Sequence, residues 1–540
     1  MDTAFDAIVI GSGINGLVAA AELGKAGWSV ALVEKNPEIG GFIASGERTL
    51  PGYLHDTYSS WHPLFVSGAA YAALGPALHA NGLEYRNSDG YVTGSIAPGG
   101  SLSVAHRDPA VAAQGFGSEA ARAAYLAMID EMGSRAEVVF GALGSELRTP
   151  KSAGLLWKTF RANGFRGSEL LARDALVSGR SFSRERFTGH EADQLWAPWL
   201  LHAGLSPDSA TGGMMFAIMA LSMHGFGLPV VAGGATNFVG AFRAVLESYG
   251  VQILTSTEVE SITVEGGGNG GRATGVVTSA GPLTARKAVL ASVTPSVLYN
   301  RMLPPAASSD ALRRQATRFR FGRAAMQIHV ALSAPLRFPD ERLDQAPLVH
   351  ITDGSSSTGI ACAQAEGGLL PSAPTIVVGR QHLLDTSRVP AGAGSLWLQL
   401  QELPFRPTGD GAGEIAVEDG WTPDVVRRYV DRVLDRIESV APGTRDSVLG
   451  MDVITPNDLA AYNPSAVDGD PYSGSVEIDQ NLLWRPLASA GNHKTGIDGL
   501  WHIGASTHPG PGLGAGSGHI VATTLLAKTP VDRVRERLGR

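Results

Sequence analysis

The chain has 540 residues, 44% of them hydrophobic and only 17% charged, so it can bury a large core across more than one domain and is not generally disordered. A formal net charge of -8 excludes a nucleic-acid partner held by basic charge. The single cysteine, Cys362, excludes an internal disulfide framework and a cysteine metal cluster, and it fits a reducing cytoplasm.

The chain opens Met1-Asp2-Thr3-Ala4-Phe5-Asp6, acidic where a secretory signal carries positive charge, so export by that route is not expected. Phe5 to Ile10 then reads as a buried strand that ends abruptly at glycine. Gly11-Ser12-Gly13-Ile14-Asn15-Gly16 matches G-x-G-x-x-G, and Leu17 to Lys25 continues as a helix with small residues Ala19, Ala20 and Ala21. Ser29 to Val33 makes a second strand, with Glu34 at its carboxyl end.

Each part has a task. Gly11 permits the tight turn, Gly13 lets the backbone approach a pyrophosphate, and Gly16 lets helix and strand pack closely; the helix amino terminus then faces the phosphates with its unpaired N–H groups, and Ile14 and Asn15 of the turn are counted with the cofactor-binding residues. Glu34 is placed to accept hydrogen bonds from a ribose diol, and its charge disfavours the extra phosphate of NADP. Strand, glycines, helix, strand and acid in this order predict a dinucleotide site. FAD and NAD are not separated by this unit alone.

Glu34-Lys35-Asn36-Pro37-Glu38-Ile39-Gly40-Gly41 follows, and it resembles the E-K/R-x-x-x-x-G-G extension of FAD enzymes in the amine oxidase and carotenoid desaturase superfamily. Pro51 to Ser60 is similar to that superfamily's P-G-(F/Y)-x-x-D-x-G segment, with Tyr58 where glycine is usual. Gly233-Gly234-Ala235-Thr236 precedes a helical run to Tyr249, and Val251 to Ile262 alternates like a strand; the resemblance implies that Val259 contacts adenine through its backbone. Gly499-Leu500-Trp501-His502-Ile503-Gly504-Ala505-Ser506-Thr507-His508-Pro509-Gly510 resembles the closing motif of the phytoene desaturase-like branch. Ala505 stands where amine oxidases often carry an acid, which favours that branch. The glycine-rich loop Gly510 to Gly518, with Gly512, Leu513 and Gly514, leads into an apolar helix from His519 to about Lys528, whose positive end favours a reduced flavin's negative charge.

The resemblance implies an α/β fold: a discontinuous Rossmann-like, glutathione reductase-type FAD-binding domain from residues 1–85, 228–300 and 490–540, and a mixed α+β substrate domain from 86–227 and 301–489. Arg272 to Ala291 reads as a hairpin turning at Gly281-Pro282, followed by a strand at Ala288 to Ala291; Gly266 to Gly271 reads as a solvent-exposed tip. Helical patterns cover Glu119 to Met132 and Pro423 to Val440. The longest apolar run, Gly212 to Met223, falls short of the roughly 20 residues of a membrane span and reads as a buried helix.

The implied activity is FAD-dependent dehydrogenation or desaturation of an apolar or alicyclic small molecule, with oxygen or a quinone as electron acceptor; an amine or amino-acid oxidase and a noncatalytic flavin protein are the alternatives. His62, His508 and His224 are the candidate bases, each with a packed or positioning role as the simpler reading. Met214, Met215, Phe216, Met219 and Met223 form an apolar face that lines either a substrate tunnel or the core; Trp196, Trp199 and Trp484 share that ambiguity, and Tyr472 and Arg485 lie before the closing motif without an assigned role. No histidine and carboxylate spacing predicts a metal site. Peripheral membrane contact and oligomeric state stay open.

Overall fold

A computed structural model describes residues 3–266 and 271–527. In chain order the strands used below are β1 Ala4–Ile10, β2 Val30–Val33, β3 Tyr91–Ile96, β4 Leu102–His106, β5 Gln252–Leu254, β6 Val259–Glu265 and β7 Arg272–Thr278. They continue with β8 Gly281–Ser292, β9 Ala324–Leu332, β10 Leu348–Ile351, β11 Ile376–Gly379, β12 Gly394–Leu403, β13 Val448–Ile454 and β14 Leu500–Ile503. The helices used are α1 Ile14–Lys25, α2 Glu119–Leu143, α3 Gly212–Phe226, α4 Thr236–Ser248, α5 Pro423–Val440 and α6 Gly516–Leu526.

One sheet runs β6-β7-β8-β1-β2-β5, with β14 added beside the second half of β8. Strands β1, β2, β5, β14 and the end of β8 are parallel; at the centre of the sheet both faces are covered, and Ala7 to Ile10 and Val30 to Val33 are apolar and buried throughout. The expected separate strand at Ala288 to Ala291 is the second half of one twelve-residue strand, β8. Its first half is an antiparallel hairpin arm exposed on alternate residues, and its second half enters the parallel core. The expected continuous strand from Val251 to Ile262 is broken into β5 and β6, because Ser256 takes a positive φ and the amide of Thr257 donates to the Glu34 carbonyl. This fold is α/β with a Rossmann-like unit.

A second sheet runs β13-β9-β12-β11-β10-β3-β4. Here the period-two alternation sorts side chains to opposite faces. Leu396, Leu398 and Leu400 of β12 and Ile328 and Val330 of β9 pack with α5, whose Val425, Tyr429, Val433 and Ile437 recur at helical spacing. The opposite face, carrying Trp397, packs toward α3 and the short turn Pro198–Ala203.

Helix α2 runs eleven residues past the expected Met132, and α1 begins at Ile14 rather than Leu17. Helix α3 continues through His224 and ends at Gly227, while α5 has the expected bounds. Residues 267–270 of the expected tip and Lys528 of the expected last helix lie outside the described residues, as do Met1 and Asp2. No helix among the described residues is long and apolar enough to cross a membrane.

Candidate active site and cofactor cleft

At the carboxyl ends of β1 and β2 the turn Gly11 to Gly16 wraps over the start of α1. A Cβ at Gly16 would collide with the Gly11 carbonyl, so the helix can lie this close to the strand only without a side chain there. Gly13 differs: a Cβ there would meet nothing within 4 Å, because the residue faces an open cleft. Glu34 accepts from the amide (2.8 Å) and hydroxyl (2.7 Å) of Ser12 and from the amide of Asn36 (2.8 Å), which fixes its carboxylate beside the turn. Lys35 approaches Glu258 at 3.9 Å, both side chains partly in solvent. Gly40 donates its amide to the Ser12 carbonyl, and Gly41 packs against Gly13.

The far end of the chain completes this wall. The side-chain oxygen of Asn15 accepts from the amide of Gly518 at 3.1 Å, so α1 and α6 meet near their amino ends. Ser517 accepts from the Gly504 amide (3.0 Å) and bonds Thr507 (2.7 Å), tying the end of β14 to α6. Arg485, fully buried, donates to the carbonyls of Ala505 (2.7 Å) and Ser475 (3.0 Å), and burial pushes its pKa down to about 10. Asp470 accepts amides from Gly322, Tyr472 and Gly474 at 2.7–2.8 Å and is raised by burial. Arg485 and Asp470 thus brace the loop that carries Tyr472 and Ser473 into the cleft wall.

The cleft has a volume of about 410 Å³ and is continuous from the dinucleotide turn to the second sheet. Gly11, Gly13, Ile14, Asn15, Glu34, Lys35, Gly40, Gly41, Val259, Gly504, Ala505, Gly512 and Leu513 line it. Gly16 and Gly514 stand behind the lining. The open backbone at Gly13, the uncapped amino end of α1 and the fixed acid at Glu34 fit an adenosine diphosphate moiety.

None of the three histidines named as candidate bases lines the cleft. His62 bonds the Tyr85 hydroxyl at 2.9 Å and sits edge-on to Phe238, and burial lowers its pKa to about 3. His508 bonds the Ala142 carbonyl at 3.0 Å, and burial lowers it to about 4. His224 bonds the Tyr125 hydroxyl (2.6 Å) and the His106 carbonyl (2.9 Å), and burial lowers it as well. Each is locked by a partner distant in sequence, which is why sequence spacing did not exclude it.

Among the described residues, the histidine that does line the cleft is His202. It stacks on Trp199 with centroids 4.5 Å apart and shares a 3.0 Å Nε2–Nε2 hydrogen bond with His350. Burial lowers His202 to about 3, so it is neutral. Its signal was a histidine within the apolar stretch Trp199-Leu200-Leu201-His202.

Met219, Met223, Trp199 and Tyr472 line the cleft; Met214 and Met215 pack beside the core, and Phe216 lies within it. Trp196 is buried and donates to the Tyr125 hydroxyl, whereas Trp484 is exposed on the surface. Cys362 is buried away from the cleft, its thiol pushed up to about 12 by burial.

Residues 9–74 match the model of an NAD(P)-binding Rossmann-like domain. The chain is 27% identical to pyridine nucleotide-disulfide oxidoreductase domain-containing protein 2 of Rattus norvegicus, over 96% of this chain and 93% of that one. It is 23% identical to a phytoene desaturase of Fusarium fujikuroi, over 94% and 86%. A solved putrescine oxidase shares the fold, with a TM-score of 0.59 and 14% identity over 98% of this chain and 100% of that one.

Proposed function

For this FAD-dependent oxidoreductase of the amine oxidase and carotenoid desaturase superfamily, we propose a dehydrogenase or desaturase that takes a hydride from a C–H bond of an uncharged alicyclic or largely apolar molecule. The observation that carries this reading is the single cleft joining Gly13 and Glu34 to Trp199, Met219 and Met223. Bound FAD supplies the hydride acceptor, flavin N5.

In this reading residues 1–85, 228–300 and 490–540 form the FAD domain, and 86–227 and 301–489 the substrate domain. Gly11, Gly13, Ile14 and Asn15 take the pyrophosphate at the amino end of α1, with Gly16 holding that helix against β1. Glu34 takes the ribose, Lys35 balances Glu258, and the Val259 backbone meets the adenine. Gly40 and Gly41 flank the ribityl arm. Gly504, Ala505, Gly512 and Leu513 border the flavin ring, with Gly514 supporting their loop. Apolar walls would exclude water from the reacting bond, and oxygen or a quinone would serve as the final electron acceptor.

The test is anaerobic mixing of the yellow protein with uncharged alicyclic compounds and, separately, with primary amines. Bleaching of the flavin by the uncharged series supports the proposal. Bleaching by amines alone, with peroxide released in air, replaces it with an amine oxidase.

A further inference from the structure

The cleft is not greasy throughout. Where β9 and β12 form its floor, alternation turns Gln327 from one strand and Trp397, Gln399 and Gln401 from the other toward the cleft, and Gln327 and Gln399 are register partners. Gln327 is 3% exposed, yet neither its amide nitrogen nor its oxygen has a hydrogen-bond partner. Trp199 and Trp397, each 3% exposed, have unpartnered indole N–H groups, and the Gln401 side-chain oxygen is likewise unpartnered.

The orientation of Gln401 is set by its neighbours. The Tyr472 hydroxyl donates to the Leu201 carbonyl at 2.6 Å, so it must accept from the Gln401 amide at 2.8 Å, which leaves the Gln401 oxygen as a free acceptor. Buried polar groups are ordinarily paired, and leaving several unpaired in one place is strongly unfavourable unless a ligand completes them. Apolar side chains on these strands would pack a hydrocarbon without that penalty.

Charge narrows the class further. Among the described residues that line the cleft, the acidic and permanently basic side chains are Glu34, Lys35, Glu258 and Arg301, all at the dinucleotide end. The floor therefore offers both donors and acceptors but no counter-ion.

We propose that the floor of β9 and β12 recognises a neutral ring compound bearing a carbonyl or hydroxyl group, which Gln327, Gln401 and the indole N–H of Trp397 hydrogen-bond while the tryptophans cover its flat apolar body. This deepens the dehydrogenase reading and rests on it. It narrows the apolar or alicyclic substrate that the sequence resemblance implies: the ring is apolar, and one polar group gives it register.

The experiment titrates the FAD-loaded protein anaerobically with three probes on one carbon skeleton: tetralin, β-tetralone and β-aminotetralin. Binding is read from tryptophan fluorescence and from perturbation of the flavin absorption band. The expected result is that tetralone binds about tenfold or more tighter than either tetralin or the cationic amine. Gln327→Leu, with FAD content and melting temperature at the parent level, is expected to bring tetralone down to the affinity of tetralin; Gln327→Asn tests whether a shorter amide restores part of it. Equal binding of tetralin and tetralone overturns the proposal, and so does an unchanged preference in Gln327→Leu. Loss of FAD from Gln327→Leu also overturns it, by assigning the floor to the flavin, and leaves the dehydrogenase reading standing. Failure of the dehydrogenase reading has a separate signature: flavin reduction by amines alone.

Discussion

The two ends of the cleft are built from different material. At the dinucleotide end the working surface is mostly backbone, exposed by glycines on a short local stretch of chain. At the floor of β9 and β12 it is side chain, presented by strands about seventy residues apart in sequence. Backbone sites tolerate little change in the residue that opens them, whereas side-chain sites can be altered one group at a time with the sheet intact.

Acid gives the largest effect, because both ends bury neutral imidazoles. His55, His62 and His202 are lowered to about 3, and His382, His502 and His508 to about 4, chiefly by burial. The unfolded chain takes up these protons below about pH 6.5 while the folded chain does not. Stability is therefore complete above pH 6.5 and falls as the pH drops toward 4. Urea melts across that window should show one cooperative loss; two separate acid transitions would mean that the ends fold independently.

Next in size is Arg388, which ties together segments distant in the chain behind the cleft. Its guanidinium meets Asp56 at 2.9 Å and Asp385 at 3.3 Å and donates to the Val231 carbonyl, all well inside the protein. Arg388→Ala strands buried carboxylates and should cost about 3–5 kcal/mol in denaturant titration. A loss below about 1 kcal/mol would show that the joint is already hydrated.

The glycines separate packing from ligand approach. Gly16→Ala should destabilise the fold by about 1–3 kcal/mol, as overpacking does, and lower FAD retention with it. Gly13→Ala has room for its methyl group, so melting should shift by less than about 0.5 kcal/mol while FAD affinity falls roughly tenfold or more. If Gly13→Ala kept full affinity, the cofactor would not run over that turn.

The smallest effect is expected from Met219→Leu at the other end. A volume-conserving exchange should cost under about 1.5 kcal/mol and leave FAD affinity alone, while flavin reduction rates shift among ring compounds of different width.

This contrast also explains what sequence could disclose. Strand, turn, helix, strand and Glu34 form one contiguous unit, and its spacing alone dictates its geometry, so it was legible. The closing segment is read from its resemblance to a family motif, and the structure brings it beside the same cleft through Gly504, Ala505, Gly512 and Leu513. The roles of His62, His224 and His508 were not legible, since their partners Tyr85, Tyr125 and Ala142 arrive from other elements. The floor left a fainter trace: Leu396-Trp397-Leu398-Gln399-Leu400-Gln401 alternates polar and apolar, a pattern that ordinarily marks a solvent-facing strand. Here the second face meets the cleft instead of bulk water.

The Asn15 to Gly518 contact bears on how the protein is made. The turn proposed to take the pyrophosphate and α6, which closes the wall behind it, lie roughly five hundred residues apart in the chain. Until α6 docks, the wall behind the turn is incomplete. On the FAD reading, loading needs both segments in place, and a truncation that removes α6 should yield a colourless product even with the amino-terminal unit unaltered.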